Sequence, residues 1–273
     1  MVEERYIIPH IQGGLGNQLF IVAACYAIQK SKECADIQIL LPPEDQNKHR
    51  VSKYDYYDTL FLHFPNSHRI NISKEMILNM WALPNYQRPA SSSYGPWNPS
   101  EIRIPCFLDG YFQYYPSIKP YVRDIQEILH TALQNVAVPF EPESGSILIH
   151  IRRGDYVPVQ EYHFLIEEDY YSKALQHFDP SLTYYIFSDD IELCKTFRVF
   201  ENLTNRVFVN EVDEVVSLAL MARCRGGAII ANSTFSYWGA LLGAYYYGKK
   251  VIAPHKWCID PPVDLFPSDW VIL

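Results

Sequence analysis

His150, Arg152, Arg153 and Asp155 stand within six residues, at the end of and just after the apolar run Ile147 to Ile151. That run has the length and β-branched content of a buried parallel strand. Side chains alternate along a strand, so His150 and Arg152 face one way while Ile151 and Arg153 face the other. Open α/β sheets bind ligands just beyond the carboxyl ends of their strands. A guanidinium placed there offers a planar fork of donors that matches a phosphate. A lone arginine would read as an ion pair at a strand end, whereas a His-x-Arg-Arg-x-Asp cluster points to an anion clamp.

Two more strand ends in the same half carry polar groups. Ser188, Asp189 and Asp190 follow the apolar run Tyr184–Phe187, and Asn232, Ser233, Thr234, Phe235 and Ser236 follow Ala228–Ala231. The second of these marks a strand turning into a helix, where first-turn N–H groups and hydroxyls can hold an anion, or where Asn232 or Ser233 simply caps the helix. Asp189 and Asp190 suit a ribose or a base N–H, or start the following helix. The adjacent carboxylates also raise a metal site, against which stand the missing carboxylate at the next-but-one position and the arginines already at hand. Near the N-terminus, Gly13, Gly14, Gly16, Asn17 and Gln18 lie between a strand over Tyr6–Ile11 and a helix over Leu19–Ile28. The glycines are neither a Walker A loop, lacking Gly-Lys-Ser/Thr, nor a full Gly-x-Gly-x-x-Gly, since Leu19 stands at the third glycine.

These residues need a frame, and the periodicity supplies one. A second strand over Ile37–Leu41 ends at Pro42-Pro43. From Glu44 to Tyr115 the periodicity fails, and aromatics mix with Pro, Ser and Asn as in a binding-loop region; we expect the acceptor-recognition surface there. A strand ends at Gly110-Tyr111-Phe112-Gln113, and Ile118–Leu133 has helical spacing. Beyond it, strands at 147–152, 184–187, 207–209, 228–231 and 251–253 alternate with helices at 169–178, 191–200, 214–224 and 235–247. Such alternation specifies an α/β fold with a parallel sheet covered on both faces. The segment Pro139–Gly145 reads as a linker, which divides the chain into domains 1–140 and 141–273.

The chain has 273 residues, 48% of them hydrophobic, enough for a substantial core. A net charge of -8 argues against nucleic acid or an anionic membrane as a general partner, so a bound anion must be held by local donors. The six cysteines are scattered without metal-ligand spacing and read as free thiols in a reducing compartment. No run approaches the roughly 20 apolar residues of a membrane helix, and the charged start lacks a signal-peptide core. A cytoplasmic protein without stable membrane insertion is the expectation.

Gly-Gly-Leu-Gly-Asn-Gln, His-Ile-Arg-Arg-Gly-Asp-Tyr and Asn-Ser-Thr-Phe-Ser-Tyr-Trp-Gly-Ala, in that order, resemble the α1,2-fucosyltransferases, as does the segment Val251–Trp257. The arginine motif is also similar to that of the α1,6- and protein O-fucosyltransferases. The resemblance implies a GT-B architecture: two Rossmann-like domains facing a nucleotide-sugar cleft, with the acceptor on the side of 1–140 and the GDP-sugar on that of 141–273. It implies inverting, metal-independent transfer of L-fucose from GDP-β-L-fucose to the 2-hydroxyl of a β-galactoside or another glycan, with no cofactor besides the co-substrate. Eukaryotic members carry an N-terminal anchor that this chain lacks, so it looks more like the soluble bacterial-type members.

Residue by residue, the resemblance puts Arg152 on the leaving β-phosphate, where fixed donors meet developing charge, with Arg153 in support. His150 matches a position that touches the nucleotide, and Asp189, beside Ser188, one that reads guanine. Asn232, Ser233, Thr234 and Phe235 would hold phosphates, and Gly14, Gly16, Asn17 and Gln18 would close over the donor sugar. The general base stays open. Asp155 lies inside the motif but also suits the part of a carboxylate that orients an arginine, and His10 or an acid within Glu44–Tyr115 could serve instead. Another GDP-sugar, or a silent carbohydrate-binding relative, are the alternatives to a fucosyl donor.

Overall fold

The structure is a computed structural model that describes residues 5–32, 36–43, 52–73, 75–76, 79, 86–87, 95–210, 213–244, 248–258 and 264–273. The chain forms two compact units, Met1–Arg50 with Tyr54–Ala132 and Pro262–Phe266, and Val51–Lys53 with Leu133–Pro261 and Pro267–Leu273. The division falls at 132/133, eight residues before the 140/141 read from the linker, and short pieces of each half belong to the other unit.

The first unit is built on a five-stranded parallel sheet in the order β3-β2-β1-β5-β4, from β1 (Tyr6–Pro9), β2 (Gln38–Leu41), β3 (Ser67–Arg69), β4 (Tyr86–Gln87) and β5 (Cys106–Leu108). Between β1 and β2 runs helix α1 (Leu15–Ser31), apolar on almost every side and buried along nearly its whole length. This corrects the expected start at Leu19. Gly14 is extended and accepts the N–H groups of Asn17 and Gln18, so Gly16, Asn17 and Gln18 lie in the first helical turn. Of the three glycines in this turn, Gly13 takes a left-handed φ, +77°, and a Cβ there would meet Asn17 at 2.7 Å.

The irregular stretch from Glu44 to Tyr115 supplies β3 and β4, which is a second correction, while the strand expected to end at Gly110–Gln113 is β5 and ends at Leu108. Strands of two or three residues are too short to show a period of two. It also holds helix α2 (Tyr56–Thr59), capped by Asp55. The aromatic positions 81–85 and 88–94 lie outside the described residues, as does Cys34. The single helix expected at 118–133 is interrupted at Pro120, giving α3 (Tyr115–Ile118), a 3-10 turn over Lys119–Tyr121 and α4 (Val122–Gln134). Ile125, Leu129, Ala132 and Leu133 make the buried face of α4.

The second unit has a six-stranded parallel sheet in the order β11-β10-β9-β6-β7-β8. Its strands are β6 (Ile147–Ile151), β7 (Thr183–Ser188), β8 (Asn205–Phe208), β9 (Gly227–Ile229), β10 (Val251–Ala253) and β11 (Val271–Ile272). The two-residue β11 left no signal in the sequence. The helices are α5 (Glu168–Leu175), α6 (Ile191–Cys194), α7 (Glu214–Arg223) and α8 (Thr234–Ala244); the helix expected at 191–200 keeps only its first turn and ends in a 3-10 turn at Arg198–Phe200. Every residue of β6 is buried, and Ile147, Ile149 and Ile151 join Tyr171, Tyr184 and Phe200 in the core. Cys25, Cys106, Cys194 and Cys224 are buried free thiols, and burial pushes Cys106 and Cys224 up to about 12, which keeps them protonated. Among the described residues no helix is long and apolar enough to cross a membrane.

Candidate active site

Strand order fixes where the second unit can hold a ligand. From β6 the chain moves outward through β7 to β8, then returns to β9 on the other side and moves out to β11. The reversal therefore lies between β6 and β9, and the crevice of a doubly wound sheet opens there, at the carboxyl ends. His150 and Arg152 leave β6 at this point, and Asn232, Ser233, Thr234 and Phe235 lead from β9 into α8. The two groups meet, with the His150 and Phe235 rings edge to face at 6.0 Å. One strand over, Ile151 pairs with Ser188, which brings Asp189 alongside the arginines.

Arg152 is held by two carboxylates. Its Nη2 donates to Asp155 Oδ2 at 2.7 Å, and Nε lies 3.2 Å from Asp189 Oδ2. The guanidinium also lies 5.5 Å from the centre of the Tyr156 ring. Burial works against its charge, but Asp189 and Asp155 more than offset this and raise its pKa, so it stays a cation. Among the described residues nothing accepts from Nη1. Asp189 Oδ1 accepts the backbone N–H of Arg153 at 2.9 Å, and Arg153 Nη1 pairs with Glu167 at 3.1 Å. Gly154 makes room for this arrangement, since a Cβ there would stand 2.8 Å from Asp189 Oδ2. Two guanidiniums thus meet three carboxylates. The cluster offers a ligand directed donors rather than a net positive field.

Around the clamp the remaining groups are neutral or structural. His150 is 3% exposed, and burial, with Arg152 nearby, lowers its pKa to about 3, so the imidazole is uncharged at neutral pH. Its Nδ1 is buried without a hydrogen-bond partner among the described residues. Asp155 Oδ1 is in the same position, an acceptor left for a ligand hydroxyl. Tyr156 stacks on His163 at 4.2 Å and donates to the Asn232 carbonyl, tying the turn Gly154–Val159 to the start of α8.

Several predicted site residues serve the frame. The Asn232 side chain, 1% exposed, donates to the carbonyls of Phe164 and Trp257. Ser188 Oγ accepts the N–H of Asp190, and Asp190 caps α6 through the N–H of Leu193, so the adjacent aspartates divide into a helix cap and an arginine partner. Ser233 is buried at the α8 entry, while Thr234 and Phe235 are partly open. In the first unit Gln18 is fully buried and donates to the carbonyl of Gly13, and Asn17 accepts from Gln113. Gly14 is exposed and Gly16 buried. Among the described residues no group of three or more His, Cys, Asp or Glu is placed to hold a metal ion. Sequence reading missed Glu167 and Asp109, the latter at the end of β5 with its carboxylate on His10. The signal for Asp109 was there: a polar residue just past an apolar strand, as at Asp189.

The chain is similar to known proteins. The family model for "Glycosyl transferase family 11" matches residues 58–261. An α1,2-colitosyltransferase of Escherichia coli is 28% identical over 97% of this chain and 98% of its own length. The O-antigen biosynthesis glycosyltransferase WbnK, also of Escherichia coli, is 26% identical over 90% and 93%. Two solved structures share the fold, each with a TM-score of 0.50. They are POFUT1 in complex with GDP-fucose, at 14% identity over 100% of this chain and 98% of that one, and the E. coli heptosyltransferase WaaC, at 10% over 98% and 92%. The fold is therefore the GT-B glycosyltransferase fold, with a Rossmann-like sheet in each unit. With three quarters of its length under the family model, the chain belongs to glycosyl transferase family 11 and is a glycosyltransferase.

Proposed function

We propose that the chain is an inverting transferase that moves L-fucose from GDP-β-L-fucose to the 2-hydroxyl of a galactoside, in α1,2 linkage and without a metal ion. The observation that carries this reading is Arg152, oriented by Asp155 and Asp189 at the β6/β9 reversal with its Nη1 edge turned to no acceptor among the described residues. As the glycosidic C1–O bond lengthens, charge collects on the β-phosphate of GDP. A preorganised guanidinium stabilises it there without reorganisation. The first-turn N–H groups of α8 at Thr234 and Phe235 add further donors, and neutral His150 lines the nucleotide side. Asp189, both oxygens engaged, positions Arg152, and guanine is left to other acceptors or to a shared one. Gly14 and Asn17 belong to the turn that opens α1, which we assign to the donor sugar.

A second donor is favoured by one comparison, the relative named for colitose transfer. Colitose is L-fucose without its 3-hydroxyl, so the same clamp on the diphosphate serves both sugars and the discrimination rests on groups around the sugar ring. Incubation with GDP-L-fucose, GDP-colitose or GDP-mannose and a panel of galactosides, with the product linkage assigned by NMR, decides between them. We expect GDP release and an α1,2-linked product with the first donor, undiminished in EDTA. Transfer confined to GDP-colitose overturns the fucosyl donor, and loss of turnover in EDTA overturns the metal-free mechanism.

A further inference from the structure

The two proposed grips on a diphosphate in the second unit come from different strands. Arg152 follows β6, and α8 follows β9. The ladder between these strands ends at Ile149 and Ile229, before either grip is reached. Beyond it β6 stays paired with β7, His150 opposite Phe187 and Ile151 opposite Ser188. The sheet therefore does not set the span from Arg152 to the start of α8, and side chains have to set it. One link is the edge-to-face contact of His150 with Phe235.

Tyr156 supplies a directed one. Its hydroxyl donates to the Asn232 carbonyl at 3.0 Å, just before α8 begins. The turn that carries it is folded back on the clamp, with the N–H groups of Tyr156 and Val157 donating to the Arg153 carbonyl at 2.9 and 3.0 Å. Asp155, on the same turn, accepts from Arg152 Nη2 at 2.7 Å, and the guanidinium lies 5.5 Å from the centre of the Tyr156 ring. One turn thus holds the arginine with one residue and the α8 entry with the next. The far end of the loop closes the bracket, since the Phe164 carbonyl accepts from Asn232 Nδ2 at 2.9 Å.

The ring that makes this link is itself fixed. It stacks on His163 at 4.2 Å and 10° from parallel, and the His163 backbone is bridged to Cys258, after β10. Burial is the largest influence on the phenol and raises its pKa, so at neutral pH the hydroxyl keeps the proton it donates. Donors fixed before a ligand arrives bind it without a cost of ordering them. We infer that Tyr156 is a positioning residue that sets the span between Arg152 and the α8 entry, and that it thereby favours a nucleoside diphosphate over a monophosphate. A diphosphate reaches both grips at once, whereas a single phosphate reaches one. The inference rests on the transferase reading above, in which Arg152 meets the β-phosphate of GDP.

Calorimetry with GDP and with GMP, on wild type and Tyr156→Phe, tests this. Phenylalanine keeps the ring and its stack and removes only the donor. GDP affinity is expected to fall about tenfold, the scale of one lost hydrogen bond, with GMP affinity held within about twofold. A general loosening of the loop would weaken both nucleotides alike, so the readout is the ratio of the two affinities. A fall of about threefold or more in the GDP preference supports the inference, and a smaller one overturns it. Where thermal melts show Tyr156→Phe to be unfolded, His163→Ala takes its place under the same threshold, because it removes the stack that holds the ring. Wild type that binds GDP no more tightly than GMP overturns the diphosphate clamp of the transferase reading, and this inference with it. Wild type that prefers GDP, beside a folded variant that keeps the preference, overturns this inference alone.

Discussion

Arg152 donates to Asp155 through Nη2 and lies in ion-pair contact with Asp189 at Nε, so two carboxylates fix how the guanidinium is turned. A lysine keeps the charge but cannot satisfy both carboxylates and still point a donor at a phosphate. We therefore expect Arg152→Ala to lower kcat by about 10²-fold or more, and Arg152→Lys to recover little of it. Steady-state assays of GDP release beside thermal melts check this; near-wild-type turnover in a folded Arg152→Ala would remove the clamp from the mechanism. The clamp was legible in the sequence because three of its parts lie within four residues, Arg152 to Asp155. Glu167 and the His10–Asp109 pair were not, since nothing in one dimension shows that residues 99 positions apart share an oxygen. Asp155 and Asp189 illustrate the other limit. Their residue types allow a base and a guanine reader, and only distances of 2.7 and 3.2 Å turn both towards the arginine.

At the scale of elements, the second half was readable because most of its strands and helices are long enough to display their periods, and three of its strand ends carry polar residues. The first half hid two strands of two or three residues, β3 and β4, and a helix start at Leu15, because short strands and a glycine inside a first turn leave no pattern. Helix α7 shows how much one residue can fasten. Asp213 accepts the N–H groups of Val215 and Val216 at the helix start, and also Ser52 Oγ at 2.9 Å and the Lys53 N–H at 2.8 Å. Replacing it with alanine removes the cap and the anchor of a distant segment together. We expect Asp213→Ala to cost about 2 kcal/mol, at the upper end for a cap, with Asp213→Asn recovering part. Denaturant titration measures it, and a loss below a few tenths of a kcal/mol would mean that water replaces the carboxylate at little cost.

At the scale of the molecule, each unit repeats one plan, a parallel sheet with chemistry-bearing residues at its reversal. That plan carries an acid liability. His150 is buried and neutral, its pKa lowered by burial and by Arg152 to about 3, whereas in the unfolded chain it titrates near 6.5. The unfolded state therefore binds the proton first, and stability falls as pH drops from about 6.5 towards about 3. We expect this group alone to remove roughly 2 kcal/mol between pH 7 and pH 5. Melting curves of wild type and His150→Gln across that range test it, and parallel curves would refute it. One further feature concerns how the chain is made. Residues Pro262–Phe266 complete the first unit, where the Asp264 carbonyl accepts the N–H of Tyr115, and Val271–Ile272 adds the outer strand of the second. A ribosome delivering this chain from its N-terminus holds both units unfinished until residues 262–273 emerge. Both units thus draw contacts from the same dozen residues.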